Sequence, residues 1–365
     1  MNTFLQDTEW PFPDSDNCKF IPIETSNASL WQTLLDRLPN QPVGYHRLHC
    51  DYQHAYFAAA YPRYRQLDSL IVVNGEPVGI WPLAVWCDQD SIRLSSHVNG
   101  AYGIAPPLLH PELTVRQRKA IHQVWLGTIA KLATDTNMAG PSQLRFISDG
   151  PWTNVPDWAT RLLSCGARLT GRYRMVADLG GSNADYHRQI RKSYKSLINK
   201  AENTWLVELD QIGDSSAFAE FQALHEQVAG RKTRSPETWK LQFEAINAGA
   251  AFAVYLRSEG RLVGASLYNI SLREAYYAVG AYDRSLFDQP VAHLSLFRAI
   301  GYARTTGRQT FILGDRTFPG NMPPPNEKEA RIAFFKEGFA TALQLLPVLE
   351  MTVSEIVSYV STMEP

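Results

Sequence analysis

Three strand-like runs that follow one another almost without interruption constrain the fold of this chain most. They read AAFAVYLRS (250–258), RLVGASLYNIS (261–271) and EAYYAVGAYD (274–283), and the turns between them are the dipeptides EG and LR. Turns this short join neighbouring antiparallel strands. The sequence therefore predicts an antiparallel meander at the centre of its second half.

Helical and strand-like segments surround this meander in a regular order. Two helical patterns precede it, SSAFAEFQALHEQVAG and SPETWKLQFEAINAG, and PVAHLSLFRAIGYARTTG follows it. A strand (QTFILGD), a helix (NEKEARIAFFKEGF) and a closing strand (TALQLLPVLE) come next. This order predicts an α/β fold with a mixed sheet.

The first half repeats this order in outline, with helices, a meander, a helix, a strand, a helix and a strand. A length of 365 residues also favours two domains over one. The small polar stretch GGSNAD at 180–185 is the best linker. We therefore predict two tandem α/β units, residues 1–180 and 181–365.

Composition limits the partners of the chain. The formal net charge is -1 and the pI is about 6.8, so no global attraction to nucleic acid or anionic membrane is expected. The N-terminal stretch MNTFLQDTEWPFPDSD lacks the pattern of a signal peptide, and no apolar run is long enough for a transmembrane segment. The four cysteines are isolated from one another, which favours reduced thiols and a cytoplasmic location.

Positive charge is nevertheless concentrated in YHRQIRKSYKSLINKAEN, residues 186–203. As one amphipathic helix, this stretch presents a cationic stripe opposite an apolar face. The stripe consists of Arg188, Arg191, Lys192 and Lys195. A solvated face is the ordinary explanation, but Glu202 is the only acid among the helical residues, so we favour a local polyanion site for donor phosphates or for a nucleotide-linked sugar.

Four of these segments carry a resemblance to a known family. They are the basic helix, LHEQVAGRK, the meander with its following helix and FILGD, and IAFFKEGF. Their order resembles the FemAB-like branch of the GNAT acyltransferase superfamily, which includes peptidoglycan-bridge aminoacyltransferases and sugar N-acyltransferases. The resemblance covers about 180–345 and implies two GNAT-like units, of which the first is degenerate.

The sequence departs from the common GNAT pattern after the meander. The basic, glycine-rich loop that usually cradles the acyl-CoA pyrophosphate is replaced by DRSLFDQPVAHLSLF, which has one arginine and no glycine. FemAB-like proteins in general lack this loop too. The donor is therefore left open between acyl-CoA and an aminoacyl-tRNA.

Four residues are candidates for the chemistry of acyl transfer. Asp283 ends the central strand and could deprotonate an amine, although a cap on the following loop is as good an explanation. Tyr277 lies on the same strand, where alternation predicts that Tyr276 and Tyr282 face one side and Tyr277 the other. His293 lies in the first turn of the next helix, where it could act as a base or contact the donor, although a simple surface position is the ordinary explanation. Lys336 lies among phenylalanines, where a lysine commonly just extends its charged end to solvent, but the resemblance implies a position near the donor, where it could neutralise phosphate or the oxyanion.

The remaining candidates are binding residues. Arg316 and Asp315 follow a strand end, where ligands commonly bind in α/β folds. We assign Arg316 to donor phosphate and Asp315 to the acceptor, together with His225, Arg231 and Lys232 of LHEQVAGRK, which resemble a family acceptor-side segment. A turn, a salt bridge or a favourable helix-dipole interaction explains each of them equally simply.

The sequence as a whole predicts an N-acyltransferase. The expected donor is a thioester, acyl-CoA, and the expected acceptor is the amine of an amino sugar or sugar-linked amino acid in cell-envelope polysaccharide synthesis. The alternatives are aminoacyl-tRNA-dependent transfer to a peptidoglycan precursor and a non-catalytic binding module. No metal is expected, since HRLHCDYQH matches no standard zinc spacing. tRNA is an unlikely partner, because one basic stripe on a neutral protein is small for it.

Overall fold

The computed structural model of the chain describes residues 18–88, 91–136, 143–321 and 324–362. The N-terminal stretch in which we found no signal peptide lies outside these ranges. Every helix within them is too short or too polar to cross a membrane.

The chain divides into two compact units. The first comprises residues 1–39, 53–171 and 346–365, and the second comprises residues 40–52 and 172–345. This division differs from the boundary that we predicted at residue 180, because residues 40–52 group with the second unit and the residues after 345 with the first. The chain passes from one unit to the other at residues 171 and 172, inside the strand Arg168–Asp178, whereas the small polar stretch GGSNAD follows that strand.

The first unit is built around one long helix and two small antiparallel sheets. Its helices and strands are β1 (Cys18–Pro22), α1 (Ala28–Asp36), most of α2 (Arg47–Ala60), β2 (Tyr64–Gln66), β3 (Ser69–Val73), β4 (Glu76–Trp81), β5 (Ala84–Asp88), β6 (Ser91–Ser95), β7 (Leu108–Leu109), α3 (Val115–Asp135), β8 (Gln143–Ile147), α4 (Asp157–Ser164), the start of β9 (Arg168–Asp178), most of β15 (Ala342–Thr352) and α11 (Val353–Thr362). The strand orders are β1-β3-β4-β7 and β2-β5-β6.

Aromatic side chains form the core of the first unit. Trp125 of α3 lies edge-on to Trp81, Phe146 and Trp158, with ring centroids 5.7 to 6.2 Å apart. All four are buried. The helical spacing of apolar residues in α3 accounts for this arrangement, and a capping box of Thr114 and Gln117 fixes where the helix begins.

The second unit is a central sheet with helices on both faces. Its helices and strands are the rest of α2 and β9, α5 (Asn183–Gln189), α6 (Lys192–Glu202), β10 (Leu206–Asp210), α7 (Ser215–Ala229), α8 (Pro236–Asn247), β11 (Ala251–Ser258), β12 (Arg261–Ile270), β13 (Glu274–Tyr282), α9 (Val291–Thr305), β14 (Thr310–Arg316), α10 (Glu327–Glu337) and the start of β15. The strands run in the order β10-β11-β12-β13-β14-β9.

The predicted meander is confirmed, since β11, β12 and β13 pair antiparallel with tight turns. Helices α6, α9 and α10 cover one face of the sheet, and α7 and α8 cover the other. The predicted helix starts are confirmed too. Ser235 caps α8 with Pro236 in its first turn, and Asn326 forms a capping box with Glu329 at the start of α10.

The basic stretch is not one helix, contrary to our prediction. Helix α5 ends at Gln189 and α6 begins at Lys192, because Ile190 adopts an extended conformation with φ -64° and ψ 157°. Arg188 therefore belongs to a different helix from Lys192 and Lys195. The reason is tertiary, since the buried side chain of Ile190 packs into the core between the two helices.

Candidate active site

The parallel strands β13 and β14 run side by side only briefly. They pair over three residue pairs, ending at Tyr276 and Ile312. Both strands continue beyond this point, while β14 carries an irregularity between Ile312 and Gly314 in its pairing with β9. Gly314 has φ +112°, which other residues rarely adopt. The strands therefore separate after Tyr276 and leave an opening in the sheet beside Gly314.

Lys336 of α10 places its ammonium group at this opening. The Nζ atom lies 4.0 Å from the centroid of the Tyr277 ring. It also lies 3.6 Å from the point that a Cβ atom on Gly314 would occupy. Within the described ranges no acceptor is within hydrogen-bond distance of Nζ. Burial lowers the pKa of Lys336 to about 8, and the nearby carboxylate of Asp315 opposes this shift in pKa.

A group of hydroxyls lies on the same face as Lys336. Tyr268, Tyr277 and Tyr282 all face the α9 side, and the Ser266 hydroxyl donates to Tyr268 Oη at 2.8 Å and contacts Ser295 Oγ at 2.5 Å. Burial raises the pKa of Tyr268 and of Tyr277 well above the ordinary value. Both phenols therefore stay protonated and can act only as neutral hydrogen-bonding groups at neutral pH.

The predicted alternation along β13 is wrong at this point. Tyr277 and Tyr282 share a face, because Tyr268 pairs with Tyr277 while Leu267 pairs with Val279. The extra residue, Ala278, is a β-bulge that reverses the side on which the following residues lie.

Two of the residues that we predicted to bind donor phosphate are brought together by one carboxylate. Glu337 Oε2 lies 3.2 Å from Arg316 Nε and 3.9 Å from Arg191 Nη2. The Arg191 guanidinium also donates from Nη1 to Tyr194 Oη at 2.9 Å and lies 4.0 Å above the ring of Phe334. The guanidinium groups of Arg191 and Arg316 are therefore held beside α10 by Glu337, the residue that follows Lys336 in the sequence.

His293 lies in the first turn of α9, among aromatic rings. Its ring contacts those of Tyr194 and Phe335, with centroids 4.5 and 5.0 Å away. Its Nδ1 atom is buried without a hydrogen-bond partner among the described residues. Burial, and then the charge of Arg191, lower the pKa of His293 to about 4. The imidazole is therefore neutral at pH 7 and is a weak base.

The carboxylate of Asp283 is occupied by contacts with neighbouring residues. Its carboxylate accepts hydrogen bonds from the backbone N–H and hydroxyl of Ser285, at 2.9 and 2.7 Å, and forms an ion pair with Arg261 at 2.7 Å. The Ser285 hydrogen bonds, and then Arg261, lower the pKa of Asp283. This geometry fits the loop cap that we considered and weakens the case for a general base.

The remaining basic residues of the predicted stripe lie on the surface. Arg188 pairs with Asp185, and Lys195 donates to the Arg188 carbonyl at 3.0 Å. Lys192 is exposed in the first turn of α6. These three side chains are available to a ligand near the start of α6, but they do not form one continuous helical face.

The predicted acceptor residues lie apart from the Lys336 group. His225 of α7 accepts a hydrogen bond from Arg234 at 2.6 Å and packs against Trp239, on the α7 and α8 side of the sheet. Burial and Arg234 lower its pKa to about 4. Arg231 and Lys232 are exposed after the left-handed cap Gly230.

Asp315 is the exception among these residues, since it lies beside the opening. Its carboxylate accepts from Arg172 at 2.9 Å and is close enough to influence the pKa of Lys336. Arg172 belongs to β9, the neighbour of β14 in the sheet.

The histidines of HRLHCDYQH do not form a metal centre within the part of the chain that the structure describes. His54 Nε2 lies 2.9 Å from the Asp68 carboxylate, and Nδ1 lies 2.6 Å from Tyr64 Oη. Burial lowers the pKa of His49 well below its ordinary value. Both are buried histidines of the core.

Sequence reasoning missed several residues of this site. Gly314 carried a signal, because a glycine inside a strand indicates a bulge or a close approach. Glu337 and Tyr268 carried none, since their importance depends on contacts with distant segments.

Comparison with protein families matches a part of the second unit. Residues 177–323 match the family described as acetyltransferase (GNAT) domain. This segment contains β13, β14 and the opening between them. No curated protein matches the chain in sequence.

Solved structures extend the similarity over most of the chain. FemX is similar over 90% of this chain and 96% of its own, with a TM-score of 0.62 and 13% identity. The C-terminal domain of a protein described as a putative lysylphosphatidylglycerol synthetase from Agrobacterium fabrum is similar over 92% of this chain and 94% of its own, with a TM-score of 0.56 and 11% identity. A Bacteroides thetaiotaomicron protein of unknown function is similar over 91% of this chain and 99% of its own, with a TM-score of 0.52 and 10% identity.

These similarities show which fold the chain has. It is a mixed α/β fold of two GNAT-like units, as predicted, and residues 177–323 of the second unit match the GNAT acetyltransferase domain. The overall fold is similar to that of FemX, in agreement with the FemAB-like resemblance drawn from the sequence.

Proposed function

We propose that this protein is an N-acyltransferase that moves an acyl group from acyl-CoA to the amine of an amino sugar or sugar-linked amino acid in cell-envelope polysaccharide synthesis. The observation that carries the proposal is the ammonium group of Lys336, which lies at the strand opening without a hydrogen-bond acceptor among the described residues. Desolvation makes such a group costly, and this cost is offset where negative charge develops during a reaction.

The reaction needs only a few groups. The amine nitrogen attacks the thioester carbonyl, a C–N bond forms, and the carbonyl oxygen becomes an oxyanion in the tetrahedral intermediate. Lys336 donates to this oxyanion, and the Tyr277 ring beneath Nζ fixes its position. The C–S bond then breaks, the thiolate leaves, and it takes up a proton.

The amine proton goes to water in this proposal. His293 is neutral but has a low pKa, and the carboxylate of Asp283 is engaged by Ser285 and Arg261. Neither is a good base at neutral pH. The burial of His293 beside Arg191 gives it a positioning role in the aromatic cluster at the start of α9.

The phosphates of the donor bind near Arg191 and Arg316 in this proposal. Arginine pairs well with phosphate because its guanidinium donates in a planar fork. Lys192, Lys195 and Arg188 add positive charge near the start of α6. Asp315, His225, Arg231 and Lys232 remain our candidates for the acceptor side.

Aminoacyl-tRNA is the second candidate donor, and one observation supports it. The connection from β13 to α9 is a short 3₁₀ turn (Arg284–Leu286) and has no glycine, so it lacks the usual acyl-CoA loop. The formal net charge of -1 argues against a large RNA footprint.

The test measures the turnover of Lys336→Met with acyl-CoA donors and a panel of amino sugars. The release of the free thiol is the signal that is recorded. Removal of one oxyanion donor is expected to lower kcat by about 100- to 1,000-fold. Lys328→Met is the matched control, because Lys328 is an exposed lysine on the same helix. Full activity of Lys336→Met would contradict the proposal, and thiol release by neither wild type nor control with any donor would favour the non-catalytic alternative.

A further inference from the structure

A half-open cleft of about 530 Å³ lies beside α10, and Arg316 is the one residue of its lining that the proposed reaction uses. Its walls come from the segment after β14 and from one side of α10. Two phenylalanines, Phe318 and Phe334, three prolines and Arg316 supply most of its lining. The cleft therefore combines flat apolar surfaces with a guanidinium group.

The aromatic walls are held in place by cations. The Arg316 guanidinium lies 4.7 Å from the centroid of Phe318, and the Arg191 guanidinium lies 4.0 Å from that of Phe334. Glu337 pairs with both arginines. One carboxylate thus links both cation–π pairs through contacts within the protein itself.

The same two elements flank the cleft and the strand opening. Arg316 follows Gly314 by two residues on β14, and Phe334 precedes Lys336 by two residues on α10. A donor whose acyl group lies at Lys336 can therefore place a more distant part of itself in the cleft.

We propose that this cleft binds the adenosine phosphate portion of the acyl donor. A purine is flat and aromatic, and it stacks on phenylalanine whatever polar groups its edge carries. A phosphate attached to its ribose pairs with Arg316, whose guanidinium lines the cleft. Arg331 at the rim is paired with Glu327 and is not needed for this recognition.

The inference rests on the proposed function, because it assumes a nucleotide-linked acyl donor. Adenosine phosphate occurs in both candidate donors. Coenzyme A carries adenosine 3′,5′-bisphosphate, whereas an aminoacyl-tRNA ends in an adenosine whose ribose carries the acyl group. The cleft recognises what they share, and the experiment separates them.

Calorimetric titration of the full chain with adenosine 3′,5′-bisphosphate, with acetyl-CoA and with S-acetylpantetheine tests the proposal. Acetyl-CoA and the bisphosphate are expected to compete for one site, and the pantetheine thioester to bind at least about tenfold more weakly, because stacking is lost. Phe318→Leu and Phe334→Leu keep apolar bulk but remove a ring, and each is expected to weaken nucleotide binding about tenfold. Ile332→Leu, an exposed residue of α10 outside the cleft lining, is the control and should bind normally.

Each outcome decides something. Equal binding of acetyl-CoA by wild type and both phenylalanine variants would overturn the inference and leave the Lys336 chemistry standing. Equal affinity for S-acetylpantetheine and acetyl-CoA would overturn it too. A trinucleotide CCA that binds more tightly than the bisphosphate, and loses affinity in Phe334→Leu, would support the adenosine site and replace coenzyme A by RNA as the donor. Loss of turnover is read separately, from Lys336→Met.

Discussion

The two units of this protein place different side chains at the same point of a similar order of elements. After its two hairpins, β3–β4 and β5–β6, the first unit continues with α3, β8 and α4. After its meander, the second continues with α9, β14 and α10. In the second unit, parallel pairing covers three residue pairs before the strands separate. In the first, the corresponding parallel contact is a single bridge between Ile104 and Phe146.

The surroundings of these two contacts differ sharply. Ile104 and Phe146 are fully buried, and Phe146 packs edge-on to Trp125. A Cβ atom on the neighbouring Gly103 would lie 2.5 Å from Ile147, so the backbone there is closely packed. In the second unit, Lys336 and Tyr277 lie beside the point where the strands separate. Apolar side chains surround the parallel contact of the first unit and polar groups lie beside that of the second, so we expect the chemistry only in the second.

Breaking the aromatic packing of the first unit should give the largest effect on stability. Phe146→Ala removes a fully buried ring and is expected to cost about 3 to 5 kcal/mol in the free energy of unfolding, measured with urea. Turnover per folded molecule should not change. Phe287→Ala is the control, because Phe287 is 68% exposed and its loss should cost less than about 0.5 kcal/mol. A specific loss of kcat in Phe146→Ala would place chemistry in the first unit after all.

Displacing Tyr277 should give a smaller loss of stability and a marked loss of rate. A Cβ atom on Gly280 would lie 2.1 Å from the Tyr277 hydroxyl, so Gly280→Ala must move that ring, at a cost of about 1 to 3 kcal/mol. Because the ring positions Lys336, we expect kcat to fall by on the order of a hundredfold.

A second substitution tests whether the clash with the Tyr277 hydroxyl is the cause of this effect. Tyr277→Phe removes the clashing oxygen and leaves contacts of 3.1 Å with the ring and with Tyr282, so the double variant Gly280→Ala with Tyr277→Phe should recover most of the stability that Gly280→Ala loses. Gly301→Ala is the control, since nothing lies within 4 Å of its added methyl group. An equally damaged double variant would show that Gly280 matters for another reason.

The pH dependence of stability should reveal that the buried ammonium group of Lys336 destabilises the folded protein. Its pKa is about 8 in the folded protein and 10.5 in an ordinary environment, so between these values the unfolded chain binds more protons. Stability should therefore rise with pH across this window, and the penalty is fully present below pH 8. Lys336→Met should have a higher urea midpoint than wild type at pH 7, and the gap should narrow by pH 10. An unchanged midpoint at pH 7 would mean that the ammonium is not destabilising.

The smallest effect is expected at Asp283. Asp283→Asn keeps the acceptor oxygen that faces Ser285 and weakens the pair with Arg261, so it should cost at most about 1 kcal/mol and leave kcat unchanged. A fall of a hundredfold or more in kcat would restore Asp283 as the general base.

Periodicity and turn signals were enough to predict most of the helices and strands. The meander, α9, β14 and α10 each carry a strong local pattern, and the structure confirms them. Helix α11 was missed, although TVSE carries the capping-box pattern in which Thr352 and Glu355 hydrogen-bond reciprocally at its start. The break at Ile190 was missed because neither glycine nor proline marks it.

The candidate site was only partly predictable. Lys336 could be singled out because phenylalanines flank it in sequence, and Arg191 and Arg316 because of their charge. The bulge at Ala278 and the bridge through Glu337 could not be read from the sequence. Both arise from contacts between segments far apart in the chain, which a local pattern does not encode.

The first unit combines segments from before and after the second unit in the chain, and this has a consequence for the order in which the chain folds during synthesis. Leu349, Met351 and Ile356 belong to its core, and α11 packs on α3. Those residues leave the ribosome after the whole of residues 172–345 has been made. The second unit, which needs only residues 40–52 from upstream, is thus complete first. The N-terminal segments must wait with an unfinished core, and are the part of the nascent chain most exposed to chaperones and proteases.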